Sequence, residues 1–212
     1  MFITTNQMTY CLGIKVRGGL VAIADTRITA GTEMYSNKKV SVHEVGKHSL
    51  FIMTAGLRSV RDKSITYFNR MTEEQGVTFD YMFEAVNAFG DMLRKVAKED
   101  KEMLKSEGYN FNLHSIIGGQ MSKDDEHKLF LVFPEGNWIE INEGLRFQII
   151  GNSNYGKPLL NRGLTYETSL EDAIKYLKDA VVDSYGNKGQ KVLDMNNAAI
   201  DVGVNKIVKI DV

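Results

Sequence analysis

The sequence predicts an α+β protein in which two antiparallel sheets pack together between layers of helices, a four-layer αββα sandwich. Three observations lead to this fold class. Short β-rich segments separated by turn residues fill the beginning of the 212-residue chain and return in its second half. Two amphipathic helical segments lie between these groups of strands, and a further helical segment follows the second group. Such an alternation of strand groups and helix groups is what two packed sheets covered by helices require.

The first group of strands is predicted to form two hairpins. Arg17-Gly18-Gly19 joins the first pair, with glycines where the turn needs positive φ, and Gly46-Lys47-His48 joins the second pair. Residue 39 begins the third strand, so that Val40 and Val42 fall on one side of it. The four predicted strands are 9–16, 20–25, 39–45 and 50–56.

Two helices are predicted after the fourth strand, each with one apolar face. The first face consists of Leu57, Val60, Ile65, Phe68 and Met71. The second has the clearer i, i+3, i+4, i+7 spacing: Met82, Ala85, Val86, Phe89, Met92, Leu93 and Val96. A charged stretch, 98–105, extends the second helix toward Gly108.

Strand patterns return in the second half of the chain, at 113–118, 128–133, 137–141 and 147–151. A long helix is then predicted from Thr168, because Thr168 and Glu171 form a T-x-x-E capping box. The chain is predicted to close with two strands, 198–204 and 206–212.

Composition indicates a globular cytoplasmic protein with one domain at residues 9–212, preceded by residues 1–8 as a leader or a mis-assigned start. A net charge of −1 argues against nucleic-acid and anionic-membrane partners. No apolar run approaches the ~20 residues of a membrane span. The single cysteine fits a reducing compartment. The four histidines are scattered, so we expect no metal and no cofactor.

Thr9 leads the first strand, Asp25 ends the second, and Lys39 begins the third. This is the layout of an N-terminal-nucleophile hydrolase, in which a hydroxyl attacks an amide and the α-amine of the same residue accepts the proton. That amine has an ordinary pKa of ~7.7–8.0 and can act as a base near neutral pH. If Asp25 and Lys39 pair beneath Thr9, the Lys39 ammonium would lower the pKa of the Thr9 hydroxyl and of the Thr9 amine. In the chain as written, the Thr9 nitrogen is a peptide amide, so the residues before it must be removed.

Each candidate residue also has a simpler interpretation. Thr9 could be an ordinary strand former, and Asp25 with Lys39 a solvated surface pair. The Gly56 N–H could line an oxyanion hole, or glycine could serve only a tight strand-to-helix turn. Ser153 could approach the nucleophile or merely cap a helix. Cys11 shares a strand face with Thr9 and is interpreted as a lining residue rather than a nucleophile.

Several segments together resemble the proteasome β-subunit superfamily over essentially the whole chain, and most of all its bacterial ancestral β-subunit branch, Anbu. The segments are Met8-Thr9-Tyr10-Cys11, Gly19-Leu20-Val21, Asp25-Thr26-Arg27-Ile28-Thr29-Ala30-Gly31, Thr54-Ala55-Gly56, Pro134-Glu135-Gly136-Asn137-Trp138-Ile139-Glu140 and Tyr155-Gly156-Lys157-Pro158.

The resemblance implies specific roles for residues of this chain. Thr9 would be nucleophile and base, Asp25 and Lys39 its supporting pair, and Gly56 the oxyanion donor. Gly151-Asn152-Ser153-Asn154 stands in place of the family's Gly-Ser-Gly-Ser element, so only Ser153 carries over from it. Asp194 is the nearest match to the family's late Asp-x-x-Ser-Gly-Gly element, displaced by one position and with asparagine in place of serine.

The resulting expectation is a self-assembling threonine hydrolase that cleaves peptide or other amide bonds in a ring or open ring-like assembly. An unfoldase partner is possible, and the sequence does not identify one. Apolar faces of the helices after Gly56 offer surface that neighbouring subunits could share. Two alternatives stay open at this point. One is a catalytically silent scaffold of the same fold, and the other is a small-molecule amidase.

Overall fold

The computed structural model describes residues 9–16, 18–25, 27–30, 33–36, 39–142, 146–151 and 170–205. These residues form two compact units, a larger one that ends at Gly151 and a smaller one that begins at Leu170.

The larger unit contains two principal antiparallel sheets and one short hairpin. The first sheet has the strand order β10-β1-β2, the second β5-β6-β7-β8-β9, and β3 pairs with β4. Two antiparallel sheets accompanied by helices confirm the predicted α+β class. The strands are β1 Tyr10–Val16, β2 Gly19–Ala24, β3 Arg27–Ala30, β4 Glu33–Ser36, β5 Val40–Val45, β6 His48–Gly56, β7 Leu113–Gly119, β8 Lys128–Val132, β9 Trp138–Glu140 and β10 Phe147–Gly151.

Four α-helices lie within the described residues. In the larger unit, α1 covers Arg58–Asn69 and continues as a π-helical turn at Arg70–Glu74, and α2 covers Met82–Ser106. In the smaller unit, α3 (Leu170–Tyr185) and α4 (Gln190–Asn205) are joined through a 3₁₀ turn. None of the helices in the described ranges is long and apolar enough to cross a membrane.

One apolar core lies between the two principal sheets. It joins β1, β6, β7, β8 and β10 through buried residues: Cys11, Phe51, Met53, Ala55, Ile116, Leu129, Leu131, Ile141 and Ile150. The sheets approach closely at Gly13, where an added Cβ would lie 2.9 Å from Ile116 Cγ2. The absence of a side chain on Gly13 therefore helps set the distance between the sheets.

A second core lies between the opposite face of the five-stranded sheet and the helices α1 and α2. Its helical residues include Val60, Phe68, Phe89, Leu93 and Val96. The apolar face of α2 agrees with the predicted spacing, whereas the buried stripe of α1 runs through Val60, Ser64 and Phe68. Because these faces are covered by their own sheet, they are not the shared subunit surface that the sequence analysis expected.

Two sequence-based assignments need correction. The β3–β4 hairpin was missed, because its two four-residue strands are too short for a clear alternating pattern. The predicted strand 198–204 is wrong, since residues up to Asn205 belong to α4. Its β-branched residues suggested alternation, but the partly buried positions recur with helical spacing: Val192, Leu193, Asn196, Asn197 and Ile200. The predicted strand 206–212 and the cap residue Thr168 lie outside the described residues.

Candidate active site

Asp25 follows β2 and links the start of β1 to a lysine from another sheet. Its Oδ1 accepts a hydrogen bond from the Tyr10 N–H at 2.6 Å, and its Oδ2 accepts one from Lys39 Nζ at 2.6 Å. The Asp25 N–H in turn donates to the Tyr10 carbonyl at 3.0 Å. One carboxylate therefore fixes the backbone of the residue after Thr9 and a cation at the same time.

Lys39 lies immediately before β5 and is almost fully buried. Its side chain is 7% exposed, while that of its partner Asp25 is 29% exposed. A buried ammonium is tolerated only with a close counter-charge, which the Asp25 carboxylate supplies. A solvated surface lysine, the simpler interpretation of the sequence, does not describe Lys39.

Thr9 directly precedes β1 and is held against the end of β10. Gly151 pairs with Tyr10 and adopts a φ of +88°, and a Cβ on Gly151 would overlap the Thr9 carbonyl group. Only glycine permits this approach. Because side chains alternate along a strand, Thr9 belongs to the face of β1 that carries Cys11 and points toward the second sheet.

Gly56 ends β6 with a φ of +144°, and a Cβ there would overlap the Asn112 carbonyl group. The next N–H, that of Leu57, donates to the Asn112 carbonyl oxygen at 2.8 Å. Gly56 and its partner Leu113 are consequently a non-hydrogen-bonded pair, so the Gly56 N–H points away from β7. It points to the β5 side of β6, from which Lys39 also approaches.

A contact between the sheets places these parts at one end of the sandwich. The Cys11 Sγ lies 3.7 Å from the Thr54 carbonyl oxygen and donates to it. Cys11 is two residues after Thr9, and Thr54 is two residues before Gly56. The structure therefore brings Thr9, Asp25, Lys39 and Gly56 to the same region.

Cys11 lies beside the site but is fully buried, with no exposed surface. Burial raises the pKa of its thiol to about 12, and the Asp25 charge acts in the same direction, while Lys39 and Arg61 oppose the shift. A thiol with this pKa is protonated at neutral pH and is a poor nucleophile, so the lining role expected from the sequence is the better one. Arg61 of α1 was not singled out from the sequence, and nothing in its local pattern distinguishes it from the other charged residues of that helix.

Ser153 and Asp194 are the other two predicted site residues. Ser153 lies outside the described residues. Asp194 belongs to α4 in the smaller unit, is exposed, and accepts a hydrogen bond from Gln190 Nε2 at 2.8 Å. Within the described ranges, no group of three or more His, Cys, Asp or Glu side chains could hold a metal ion.

Two packed antiparallel sheets with helices against one of them form a proteasome-like fold. The chain belongs to the proteasome subunit family, whose sequence profile matches residues 5–203. A curated relative, proteasome subunit beta 1 of Pyrobaculum neutrophilum, is 26% identical over 185 residues, which cover 85% of this chain and 86% of the relative.

Solved structures of Anbu proteins share the fold. An Anbu (ancestral beta-subunit) from Yersinia bercovieri has a TM-score of 0.71 and 22% identity, covering 96% of this chain and 99% of that one. An Anbu mutant from Hyphomicrobium sp. strain MC1 has a TM-score of 0.70 and 25% identity, covering 96% and 100%. The helical assembly of the Anbu complex from Pseudomonas aeruginosa has a TM-score of 0.71 and 24% identity, covering 86% and 76%. The resemblance identified in the sequence is thereby confirmed.

Two local matches are of a different kind. A pyruvate-flavodoxin oxidoreductase from Enterobacter agglomerans is 38% identical over 85 residues, and a pyruvate:ferredoxin oxidoreductase from Moorella thermoacetica is 35% identical over 71 residues. The chain spans only 7% and 6% of the length of these relatives. Matches over so small a part of a large enzyme do not transfer its activity.

Proposed function

We propose that this chain is a threonine hydrolase that cleaves peptide or other amide bonds once the Thr9 amine is free. The observation that carries this proposal is the Asp25 carboxylate, which binds the Tyr10 N–H and Lys39 Nζ at 2.6 Å each. The pair holds a buried positive charge close to the backbone next to Thr9. A cation at this position would lower the pKa of the Thr9 hydroxyl and of the Thr9 amine.

In the proposed reaction, the free Thr9 amine accepts the hydroxyl proton as Oγ attacks the amide carbonyl carbon. The Gly56 N–H stabilises the negative oxygen of the tetrahedral intermediate. Collapse of the intermediate breaks the C–N bond, and the departing amine takes the proton held by the Thr9 ammonium. Water, deprotonated by the same amine, then hydrolyses the ester and regenerates Thr9. Asp25 positions Lys39 and the start of β1 throughout.

Thr9 can be freed in two ways. Translation can start at Met8, with that methionine removed before the small Thr9, or the chain can cut itself between Met8 and Thr9. We favour the first route, because the resemblance to the Anbu branch begins at Met8. Either route gives the same mature residue, and the mass of the purified protein distinguishes the mature chain from the blocked one.

The decisive experiment uses a chain that begins at Met8. Intact mass and N-terminal sequencing should show mature Thr9, and a β-lactone should add covalently to that residue. Thr9→Ala should abolish this labelling, while Thr9→Ser, which keeps a hydroxyl and an amine, should retain it. If the chain matures to Thr9 but shows neither labelling nor amide turnover, the hydrolase proposal fails and the scaffold alternative replaces it. Turnover of small amides but not of peptides would favour the amidase.

We also infer that the protein acts in the cytoplasm as a homo-oligomer of many subunits. The helical assembly formed by the Pseudomonas aeruginosa relative supports self-association, and the single cysteine of the sequence fits a reducing compartment. Light scattering after size-exclusion chromatography, over a range of concentrations, tests the inference. A particle that stays at the 23.9 kDa of one chain would contradict it.

A further inference from the structure

A cavity of about 340 Å³ lies at the end of the five-stranded sheet that is remote from the candidate active site. Lys128, which lines the cavity, pairs with Gly119, the last residue of β7. Gly56 of the candidate site pairs with Leu113, the first residue of β7. The two ends of β7 are about 20 Å apart, because a strand rises about 3.3 Å per residue. The cavity therefore takes no part in the chemistry proposed for Thr9.

Two aromatic side chains at the start of α2 line the cavity and remain exposed. Tyr81 is 37% exposed and Phe83 is 42% exposed, and their rings stack with centroids 5.6 Å apart and planes at 27°. An exposed ring face attracts a cation, because the quadrupole of the ring is negative on that face. One such approach exists in the structure, where Lys123 Nζ lies 6.0 Å from the centroid of the Tyr81 ring. The aromatic pair therefore favours a positively charged ligand.

Carboxylates outnumber ammonium groups around the cavity. Five charged side chains line it: Asp124, Asp125, Glu140, Lys123 and Lys128. Both lysines already have a counter-charge. Lys123 pairs with Asp80 at 2.7 Å, and Lys128 pairs with Asp125 at 2.9 Å. An anionic ligand would meet a net negative surface here, whereas a cation is attracted to it.

Glu140 is the carboxylate best placed to receive a further cation. It pairs with Phe130 across β8 and β9, and both residues line the cavity. Its side chain is 39% exposed and lies 3.6 Å from Lys128, a longer contact than the 2.9 Å between Lys128 and Asp125. Asp124, by contrast, already accepts two backbone hydrogen bonds. The cavity thus combines aromatic surface with an acceptor whose present ion pair is loose.

We propose that this cavity docks an arginine side chain from a basic segment of a separate protein. The guanidinium plane stacks on the rings of Tyr81 and Phe83, and its N–H groups donate to the Glu140 carboxylate. The aliphatic stem of the arginine contacts Phe130. Arginine fits better than lysine, because a planar guanidinium can stack on a ring and still donate hydrogen bonds in its own plane. Docking does not require the hydrolase function, since the cavity lies far from Thr9.

A separate protein is a better source of this arginine than a second copy of the chain. Within the described helical segments, the exposed arginines are Arg58, Arg70 and Arg94. Each pairs with a carboxylate three or four positions away on the same segment, at 3.2, 3.3 and 2.7 Å respectively. Docking one of them would break that pair, whereas an arginine of a solvated basic segment loses no such partner.

The test uses Thr9→Ala in its assembled form, because this variant cannot hydrolyse the peptides that serve as probes. Saturation-transfer difference NMR, which suits large assemblies, measures the binding of acetyl-Gly-Gly-Xaa-Gly-Gly-amide with Arg, Lys or Glu as Xaa. The Arg peptide should bind at least about twofold more tightly than the Lys peptide. The Glu peptide should not bind detectably, because the cavity is lined by more carboxylates than ammonium groups.

Variants of the cavity locate the binding. Phe83→Leu and Glu140→Gln should each weaken binding of the Arg peptide about two- to fivefold, as expected for one exposed cation–π contact or ion pair. Phe83→Tyr keeps an aromatic face and should retain the affinity, which separates loss of the ring from a disturbance of α2. The matched controls are Tyr109→Leu and Glu102→Gln, which remove an exposed ring and an exposed carboxylate near the other end of α2. Both controls should bind the Arg peptide like the parent protein.

Three results would contradict the docking site as proposed. An Arg peptide that binds no more tightly than the Lys or Glu peptide would remove arginine as the ligand. An Arg affinity that neither Phe83→Leu nor Glu140→Gln reduces would place the binding elsewhere. A smaller assembly in light scattering for Glu140→Gln, but not for Glu102→Gln, would identify a second copy of the chain as the occupant and overturn the separate partner.

Discussion

At the scale of single residues, the Asp25–Lys39 pair is the feature on which the site depends most. The two carboxylate oxygens of Asp25 serve different donors, the Tyr10 N–H and Lys39 Nζ. An asparagine has one acceptor oxygen, so it cannot serve both. When Asp25 is replaced, Lys39 at 7% exposure cannot bind water in its place. When Lys39 is replaced, Asp25 at 29% exposure partly can.

We therefore expect Asp25→Asn to destabilise the protein more than Lys39→Met. Asp25→Asn leaves a buried ammonium without its counter-charge, which costs on the order of 2–3 kcal/mol, below the ~3–5 of a fully buried pair because Asp25 is partly exposed. Lys39→Met fills similar space, and the Asp25 carboxylate that it leaves is partly exposed and keeps the Tyr10 N–H, so the cost should be smaller, about 1–2 kcal/mol. Urea unfolding of both variants measures the difference. An equal or larger cost for Lys39→Met would show that the pair is not organised around a buried lysine.

A second residue-scale prediction concerns pH. His43 is 4% exposed and is held between Asn69 Oδ1 and Ser41 Oγ at 2.7 Å each. Burial lowers its pKa below the ordinary value of 6.5, although the hydrogen bond with Asn69 opposes the shift. Below about pH 6.5 the unfolded chain thus binds a proton that the folded chain resists, so stability should fall as the pH decreases from 6.5 toward the folded pKa.

Urea unfolding at a series of pH values should show this loss, and His43→Gln should reduce its slope. His127→Gln is the matched control, because His127 lies in the β7–β8 connection and is only partly buried. His114, whose pKa burial also lowers, contributes in the same direction. A slope identical in the wild type and His43→Gln would remove His43 as its source.

At the scale of elements, helix α2 depends on an acceptor from a distant part of the chain. Asp124 Oδ2 accepts hydrogen bonds from the Met82 N–H at 2.9 Å and the Met121 N–H at 2.8 Å. The first of these N–H groups opens α2, where no partner exists within the helix. Glu84 supplies a second acceptor locally, for the Tyr81 N–H at 3.1 Å.

We expect Asp124→Ala to cost about 2 kcal/mol, roughly 1 kcal/mol for each backbone N–H that loses its acceptor. Asp125→Ala is the neighbouring control. Its side chain is 83% exposed and pairs with Lys128 at the surface, which contributes little. Thermal and urea unfolding of the two variants should separate them clearly. If both variants lose the same stability, the loss comes from removing a negative charge and not from the two hydrogen bonds that Asp124 accepts.

The same elements show what sequence can and cannot predict. The α2 face was predictable because seven apolar residues repeat with helical spacing, and β1, β2, β5 and β6 because turn glycines separate alternating runs. The Asp124 cap was not, because it joins residues more than forty positions apart. The ion pair of Asp25 and Lys39 was expected from their order along the strands and from the family resemblance, but the Tyr10 N–H that completes it appears only when the strands are placed. His114 was visible only as one of four scattered histidines, since its relation to Ala55 depends on strand register.

At the scale of the whole molecule, the relation of Thr9 to Gly56 depends on how closely the two sheets pack. Gly13, on β1, allows a close approach to β7 and β8. A Cβ there would lie 2.9 Å from Ile116 Cγ2 and 3.2 Å from Leu129 Cδ1, tighter than ordinary contacts. Close-packed interiors resist such additions. A side chain at this position therefore has to displace Ile116, Leu129 or β1, the strand that directly follows Thr9.

We predict that Gly13→Ala destabilises the protein by about 1–3 kcal/mol, the usual cost of overpacking a core. Ile116→Ala, which costs about 2–5 kcal/mol alone by leaving a cavity, removes the atom nearest to the new methyl group. The double variant should therefore lose less stability than the sum of the two single variants, by on the order of 1 kcal/mol.

Gly18→Ala in the β1–β2 turn, where a Cβ would meet no atom within 4 Å, should change stability by only a few tenths of a kcal/mol. Additive effects of Gly13→Ala and Ile116→Ala in urea unfolding would mean that the sheet separation is set elsewhere. A coupling of the predicted sign would tie the position of the Thr9 strand to the packing between the sheets, because Gly13 lies on that strand and Ile116 faces it from the other sheet.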